Sequence, residues 1–253
     1  MNIIIGIIIL AASFLFAMLG LGGGMIYVPA LNWAGYDFIT VALPLGLLLN
    51  GLNTSFALIQ FGRKKIVDWK GGAFMAVSAL IASPVGAYSS QFVDVSNLKI
   101  AFAVLVFFAA IRMLIQAGKK EPEEMASLKK RIIAGIGVGL SVGFIGGMLG
   151  IGGGFIFAPV LMALGYKTKQ AAATTAFVVT FSSFSGYLGH MANGNMNWPL
   201  TLILVVAVII GSQFGARFMS NQAKPKMVKK IYAIVLVGIA IKLSWEAVAA
   251  YIS

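Results

Sequence analysis

Long apolar runs alternate with short polar segments along the chain. The runs lie at about 3–34, 38–61, 70–90, 97–117, 132–165, 170–190, 198–219 and 228–252. A helix that crosses the hydrocarbon core of a bilayer needs about 20 predominantly apolar residues. The pattern therefore predicts an all-α polytopic membrane protein with eight hydrophobic segments.

The first and fifth runs are each interrupted by a cluster of glycines. Leu19–Met25 reads LGLGGGM, Leu149–Phe155 reads LGIGGGF, and a proline follows each cluster, at Pro29 and Pro159. Glycine lowers helix stability by about 1 kcal/mol per residue relative to alanine. We expect both segments to break, at 20–24 and at 150–154.

The two halves of the chain match beyond these clusters. Gly35 matches Gly165, Trp69 matches Trp198, and the sequence SPVGA at 83–87 matches SQFGA at 212–216. This internal duplication predicts membrane repeat 1 at 1–117, a cytoplasmic linker at 118–130 and membrane repeat 2 at 131–253.

The distribution of Lys and Arg predicts how the halves are oriented, because cytoplasmic loops carry an excess of these residues. Eight simple spans would divide the basic residues almost equally between the two sides. If the first segment of each half instead breaks at the glycines and returns to the side it came from, only Lys99 and Lys242 lie outside. The second arrangement predicts two inverted repeats of four segments, each with a re-entrant first segment.

Composition fits a chain whose solvent is lipid. Hydrophobic residues make up 60% of the sequence and charged residues 10%, against roughly 25% charged in soluble domains. The basic residues behind the net charge of +12 lie in short loops between the apolar runs, where they set the topology. We therefore expect no nucleic-acid partner. Cysteine is absent, which excludes disulfides and thiolate metal sites, and we expect no metal, cofactor or catalytic cluster.

A helix that begins inside the membrane exposes N–H groups without partners, and these are tolerated only where they line a polar cavity. Such an N-terminus carries roughly half a positive charge and suits an anion. Close packing of small residues is the structural alternative. The glycine clusters place the following residues in a substrate site: Gly22, Gly23, Gly24, Met25, Gly152, Gly153, Gly154 and Phe155.

The second segment of each half adds polar side chains at matching depth. Their hydroxyls and amides can donate hydrogen bonds to substrate oxygens, although a single Ser or Thr more often bonds its own helix. The assigned residues are Asn50, Asn53, Thr54, Ser55, Thr174, Thr175, Ser182, Ser183 and Ser185. Ser83 and Ser212 in the third segments are weaker candidates. His190 ends the sixth segment near the surface and is our candidate for proton coupling, because its ordinary pKa is near neutrality.

The acidic residues predict the sign of the substrate. All seven Asp and Glu residues fall in loops or near segment ends, whereas a cation carrier normally holds a carboxylate at mid-membrane. This favours an anionic substrate. A separate stripe, Gly135, Gly139, Gly143 and Gly147, is typical of close helix packing, within the bundle or between the subunits of a homo-oligomer.

The paired glycine motifs, each followed by Pro and then Leu, resemble those of the TauE/SafE family of membrane proteins (sulfite exporter type), and so do the third segments. The resemblance covers nearly the whole chain. It carries over only to the motif glycines: Gly20, Gly22, Gly23, Gly24, Gly150, Gly152, Gly153 and Gly154. It implies a multi-pass permease of the bacterial inner membrane that exports sulfite, sulfoacetate or related sulfur-containing organic anions.

We therefore expect a secondary transporter that exports a small sulfur-containing oxyanion, such as sulfite or an organosulfonate, by alternating access at the repeat interface. Either the proton gradient or the membrane potential drives it. An anion channel, or a permease for another small organic anion, is the alternative. An intramembrane enzyme is disfavoured because no catalytic cluster is visible in the sequence.

Overall fold

The structure, a computed structural model, is built from helices joined by short loops. It describes residues 2–117, 121–122, 124–191 and 197–221, and beyond them residues 227, 230, 234 and 237–242. The apolar run predicted at 228–252 lies mostly outside these residues, as do parts of the predicted linker.

The helices follow the predicted order. The first half contains α1 (Asn2–Met18), α2 (Gly24–Trp33), α3 (Leu43–Arg63), α4 (Trp69–Ser89) and α5 (Val95–Ala117). A π-helical turn at Phe38–Ala42 leads into α3, and a 3-10 turn at Ser90–Phe92 follows α4. The second half contains α6 (Leu128–Met148), α7 (Gly154–Ala163), α8 (Thr168–His190) and α9 (Trp198–Asn221).

The prediction of an all-helical, multi-pass membrane protein is confirmed. Within the described residues, six helices are long and apolar enough to cross a membrane: α3, α4, α5, α6, α8 and α9. The helices α2 and α7 have 10 residues each, about 15 Å of helix, or half of a hydrocarbon core about 30 Å thick. Large apolar side chains such as Phe107 and Phe108 are more than half exposed, as expected for a surface in contact with lipid.

The start of α6 differs from the predicted linker boundary at residue 130. Ser127 caps the helix, since its side chain accepts a hydrogen bond from the N–H of Lys130. The helix therefore begins at Leu128 and takes in residues that the sequence pattern had left in the linker.

Glycines bring the first helix of each half against the fourth helix of the other half. A methyl group built on Gly139, Gly143 or Gly147 of α6 would lie 2.7 Å or less from an atom of α4. Gly211 and Gly215 bring α9 equally close to the backbone of α1. The predicted packing of the glycine stripe is thus confirmed within the bundle.

The helices α3 and α8 run in opposite directions where they cross. Leu47, near the start of α3, contacts Gly186 near the end of α8. Two turns further along α3, Thr54 accepts a 3.1 Å hydrogen bond from Thr180, which lies nearer the start of α8. These two helices form the polar centre of the bundle.

The residues that flank the α6–α7 pair lie side by side. The N–H of Ala126, just before α6, donates a 2.9 Å hydrogen bond to the carbonyl of Leu164, just after α7. The next helix, α8, starts beside the end of α9, where Lys169 Nζ is 3.4 Å from the carbonyl oxygen of Ser220.

Candidate substrate site at the crossing of two glycine motifs

Both predicted helix breaks are present at the glycine motifs. Gly20 and Gly22 adopt positive φ values of 62° and 69° between α1 and α2, and Gly150 and Gly152 adopt 72° and 66° between α6 and α7. Residues that carry a side chain rarely adopt this left-handed backbone conformation, whereas glycine does so without steric cost. The two copies differ at the residue before the second helix, because Gly153 has a φ of 83° and Gly23 has −105°.

The two motifs contact each other in the centre of the protein. A methyl group built on Gly24 would lie 2.7 Å from the Cα of Ile151, and one built on Gly154 would lie 2.2 Å from the carbonyl oxygen of Leu21. All four residues are buried. Each second half-helix therefore begins against the break of the other repeat, and the approach leaves no room for a side chain at either glycine.

Asn50 of α3 joins the two motifs. Its Oδ1 accepts a 2.9 Å hydrogen bond from the N–H of Gly24, at the start of α2. Its Nδ2 donates to the hydroxyl of Ser183 at 2.8 Å and to the carbonyl of Ile151 at 3.3 Å. The side chain is fully buried, so a single neutral amide holds α2, the second glycine motif and α8 together.

A second polar cluster surrounds the start of α2. Asn53 Nδ2 donates a 3.0 Å hydrogen bond to the hydroxyl of Tyr27, which is 2.6 Å from the hydroxyl of Ser13. Ser13 donates to the carbonyl of Ile9 at 2.6 Å. The Tyr27 ring covers Gly23, since a methyl group built there would lie 2.3 Å from the tyrosine oxygen.

The start of α7 retains hydrogen-bonding capacity. Gly153 has no side chain with which to cap the helix, and in the described part of the chain no side chain accepts from the N–H groups of Gly154 or Phe155. Ser182 donates to the carbonyl of Gly152 at 2.8 Å and thereby fixes the motif from α8. The first N–H groups of α7 are therefore left without a side-chain cap.

Several predicted site residues lie apart from this crossing or bond within their own helices. Ser55 donates to the carbonyl of Gly51 at 2.7 Å, and Ser185 donates to that of Ser182 at 3.1 Å. Thr174 accepts from the N–H of Asp68 at the start of α4. Thr174 and Ser183 are nine residues apart on α8, or about 13 Å along the helix axis.

Two further predicted hydroxyls and the predicted histidine are buried. Thr54 bonds its own helix and Thr180, whereas the buried hydroxyl of Thr175 has no partner among the described residues. His190 was expected near the surface, but it is only 6% exposed. The reason is close packing by the neighbouring Gly189 against α4. Nε2 of His190 lies 3.3 Å from the carbonyl oxygen of Gly147, near the end of α6.

A charged cluster lies at the starts of α4 and α6. Asp68 pairs with Arg131 and accepts a 2.8 Å hydrogen bond from the hydroxyl of Tyr166, while Arg131 also donates to Tyr166 at 3.1 Å. Burial raises the pKa of the Tyr166 hydroxyl to about 12. In contrast, the hydrogen bonds of Asn50 and Ser182 at the crossing join only neutral groups.

Sequence reasoning missed Ser13 and Tyr27. At a spacing of 130 residues they correspond to Gly143 and Phe157 of the second half. A polar residue in one repeat opposite an apolar or small residue in the other was the available signal. Positions at which the two repeats carry similar residues fit a shared role in packing, whereas positions such as these differ in their chemistry between the repeats.

Comparison with known proteins gives relatives that extend over almost the whole chain. The chain is 26% identical to the probable membrane transporter protein YunE of Bacillus subtilis over 272 aligned residues, covering 97% of this chain and 98% of the relative. It is 25% identical to the probable membrane transporter protein YfcA of Escherichia coli strain K12, covering 93% and 87%. A probable membrane transporter protein of Methanocaldococcus jannaschii is 24% identical, covering 92% and 91%.

No solved structure matches the chain significantly. The family model described as "Sulfite exporter TauE/SafE" matches residues 5–243, a range that includes both glycine motifs and every residue at their crossing. The chain therefore belongs to the TauE/SafE family, and it is a membrane transporter of that type.

Proposed function

We propose that this protein is a secondary transporter that exports a small sulfur-containing oxyanion, such as sulfite or an organosulfonate. The observation that carries the proposal is the contact of two glycine motifs around Asn50, where neutral donors converge in the centre of the protein. Transport proceeds by alternating access, with the substrate site at the interface of the two repeats.

The repeats are inverted in this proposal. The opposite directions of α3 and α8 support it, because equivalent helices of inverted repeats cross antiparallel. The hydrogen bond between Ala126 and Leu164 also supports it, since α6 and α7 then enter and leave on one side. Each half consequently crosses the membrane an odd number of times.

The distribution of charge assigns the sides. Of the 19 Lys and Arg residues, only Lys99 and Lys242 fall on the outer side in this arrangement, as the positive-inside rule requires. Lys99 lies over the Phe38 ring at 5.5 Å, and Lys242 lies over the Trp33 ring at 3.5 Å. Both contacts join the outer ends of helices, and the membrane is the inner membrane of a bacterial cell.

The chemistry of the crossing favours an anion. The start of α7 offers N–H groups at the positive end of a helix dipole, and the Ser183 hydroxyl, which accepts from Asn50, retains its own proton for a ligand oxygen. The carboxylates of the described residues lie in loops or at helix ends, where they do not repel an anion at the centre.

Export of an anion needs no other coupling when the cell interior is negative. The membrane potential supplies about 2.3 kcal/mol per charge for each 100 mV. If protons are coupled, His190 is our candidate, because its ring reaches the carbonyl end of α6 immediately before the second glycine motif. The substrate and the lipid bilayer are the partners this function requires, and a homo-oligomer is compatible with it.

Counterflow of labelled sulfite in proteoliposomes tests the function. The wild type should show trans-acceleration, which a carrier produces and an anion channel does not. Asn50→Ala should lower the initial rate about tenfold or more, since leaving a buried group unpaired costs about 1–3 kcal/mol and 1.4 kcal/mol is a factor of ten.

Ser141→Ala is the matched control, because that exposed hydroxyl bonds only carbonyls of its own helix. It should retain the wild-type rate. Uptake without trans-acceleration would identify a channel, and an absence of sulfite and organosulfonate transport by well-folded protein would overturn the proposal.

A further inference from the structure

The cluster at the start of α2 is a hydrogen-bond chain with one direction. Ser13 gives its only hydroxyl proton to the carbonyl of Ile9. The 2.6 Å contact between Ser13 and Tyr27 must then use the proton of Tyr27. The tyrosine oxygen is left as an acceptor, and it receives its hydrogen bond from the amide of Asn53.

This direction fixes which end of the Asn53 amide faces Tyr27. The two ends of an amide have nearly the same shape, and the hydrogen-bond network decides their assignment. Because the Tyr27 proton is already used, the NH₂ group of Asn53 must point to the tyrosine. The carbonyl oxygen of Asn53 points away, is buried, and has no hydrogen-bond partner in the described structure.

Leaving a buried acceptor without a donor costs more free energy of folding than one typical hydrogen bond contributes to stability. The Asn53 side chain is fully buried and lies one helical turn from Asn50, beside the start of α2. At a spacing of 130 residues the counterpart of Asn53 is Ser183, and that of Tyr27 is Phe157. The hydrogen-bond chain and its unpaired acceptor therefore have no equivalent in the second repeat.

We infer that the carbonyl oxygen of Asn53 accepts a hydrogen bond from the transported anion, which must therefore carry an O–H or N–H donor of its own. The inference rests on the proposed function and narrows its substrate class. The site would prefer bisulfite to sulfate, and a hydroxyalkane- or aminoalkanesulfonate to an alkanesulfonate without a donor. Oxyanion oxygens bind the N–H groups at the start of α7, while the ligand donor binds Asn53.

Two sulfonates that differ by one hydroxyl test this inference. Binding of 2-hydroxyethanesulfonate and of ethanesulfonate to the purified full-length protein is measured by ligand-induced thermal stabilisation, with sulfite as a reference ligand. The wild type should bind the hydroxylated compound about tenfold more tightly, because the unhydroxylated compound leaves the Asn53 oxygen unpaired.

Tyr27→Phe introduces the residue that the second repeat carries at the equivalent position. It removes the acceptor that holds the amide, so Asn53 can rotate and present its NH₂ group to the ligand. The preference should fall to about one, with ethanesulfonate bound at least as well as by the wild type. Ser13→Ala should act in the same direction through the freed Tyr27 proton, and Ser141→Ala should keep the wild-type preference.

The outcomes separate this inference from the proposed function. Equal binding of both sulfonates by the wild type would overturn the inference alone, as would an unchanged preference in Tyr27→Phe and Ser13→Ala. Binding of sulfite together with equal binding of the sulfonates would leave the transport proposal standing. If the wild type binds none of the three anions, both proposals fail.

Discussion

Ala126 and Leu164 are joined by a 2.9 Å backbone hydrogen bond that ties the residue before α6 to the residue after α7. The pair closes a loop around the second glycine motif, and in the proposed inverted arrangement both arms leave the membrane on the same side. Chemical labelling of single cysteines from each side of the membrane can test this arrangement.

Single cysteines should report the sidedness without a background, because the chain has no cysteine of its own. A cysteine at Lys64 and one at Lys167 should both react with an impermeant maleimide only after the cells are permeabilised. A cysteine at Lys99 should react in intact spheroplasts. Labelling of the first two positions from opposite faces would contradict the inverted arrangement.

Alanine at the crossing glycines should destabilise the protein. In Gly24→Ala and Gly154→Ala the new methyl group meets backbone atoms of the opposite motif at 2.7 Å and 2.2 Å, and overpacking typically costs about 1–3 kcal/mol. Thermal unfolding in detergent measures the loss.

Gly137→Ala provides the control for this series, because no atom of the described residues lies within 4 Å of a methyl group built there. It should be neutral or gain up to about 1 kcal/mol from helix propensity. Equal stability of Gly154→Ala and Gly137→Ala would show that the motifs do not pack as closely as described.

The pair formed by Asp68 and Arg131 should show strong energetic coupling. Its side chains are 16% and 15% exposed, and Asp68 also caps α4 by accepting from the N–H of Gly71 at 2.9 Å. A double-mutant cycle with Asp68→Asn and Arg131→Met should give a coupling energy of about 0.5–3 kcal/mol, measured by thermal unfolding. Additive effects would mean that the ion pair contributes nothing beyond its separate hydrogen bonds.

Tyr166 should make stability depend on pH in the alkaline range. Its pKa is raised by burial from an ordinary 10.0 to about 12, so the folded protein favours the protonated hydroxyl. That stabilisation is fully present below pH 10 and is lost as the pH rises from 10 to about 12. The difference in Tm between the wild type and Tyr166→Phe should be constant at neutral pH and shrink over that interval; a constant difference throughout would refute the assignment.

The sequence predicted those features that depend on position along the chain. The breaks at 20–24 and 150–154 follow from consecutive glycines, and the packing of Gly139, Gly143 and Gly147 follows from their spacing. Both are properties of a single segment, which an apolar pattern and glycine propensity are enough to locate.

Features that depend on which helix face meets which neighbour could not be predicted in this way. Thr174 was grouped with Ser183 because both are polar and lie on one helix, yet it bonds the start of α4. His190 was placed near the surface because it ends its helix, but packing of α8 against α4 and α6 buries it. Tyr27 lies on a short apolar helix, and only the fold brings its hydroxyl to Asn53.

The first helix of each half packs against a helix of the other half, and this has a consequence for biosynthesis. α1 packs against α9, where a methyl group built on Gly6 would lie 3.3 Å from Ile203, so α1 must wait for a partner roughly 200 residues downstream. At about 5–20 residues per second this wait is about 10–40 s. During it, α1 is held only by lipid, by its own half and by the insertion machinery. The amino-terminal half is therefore the segment most exposed to quality-control proteases in the nascent chain.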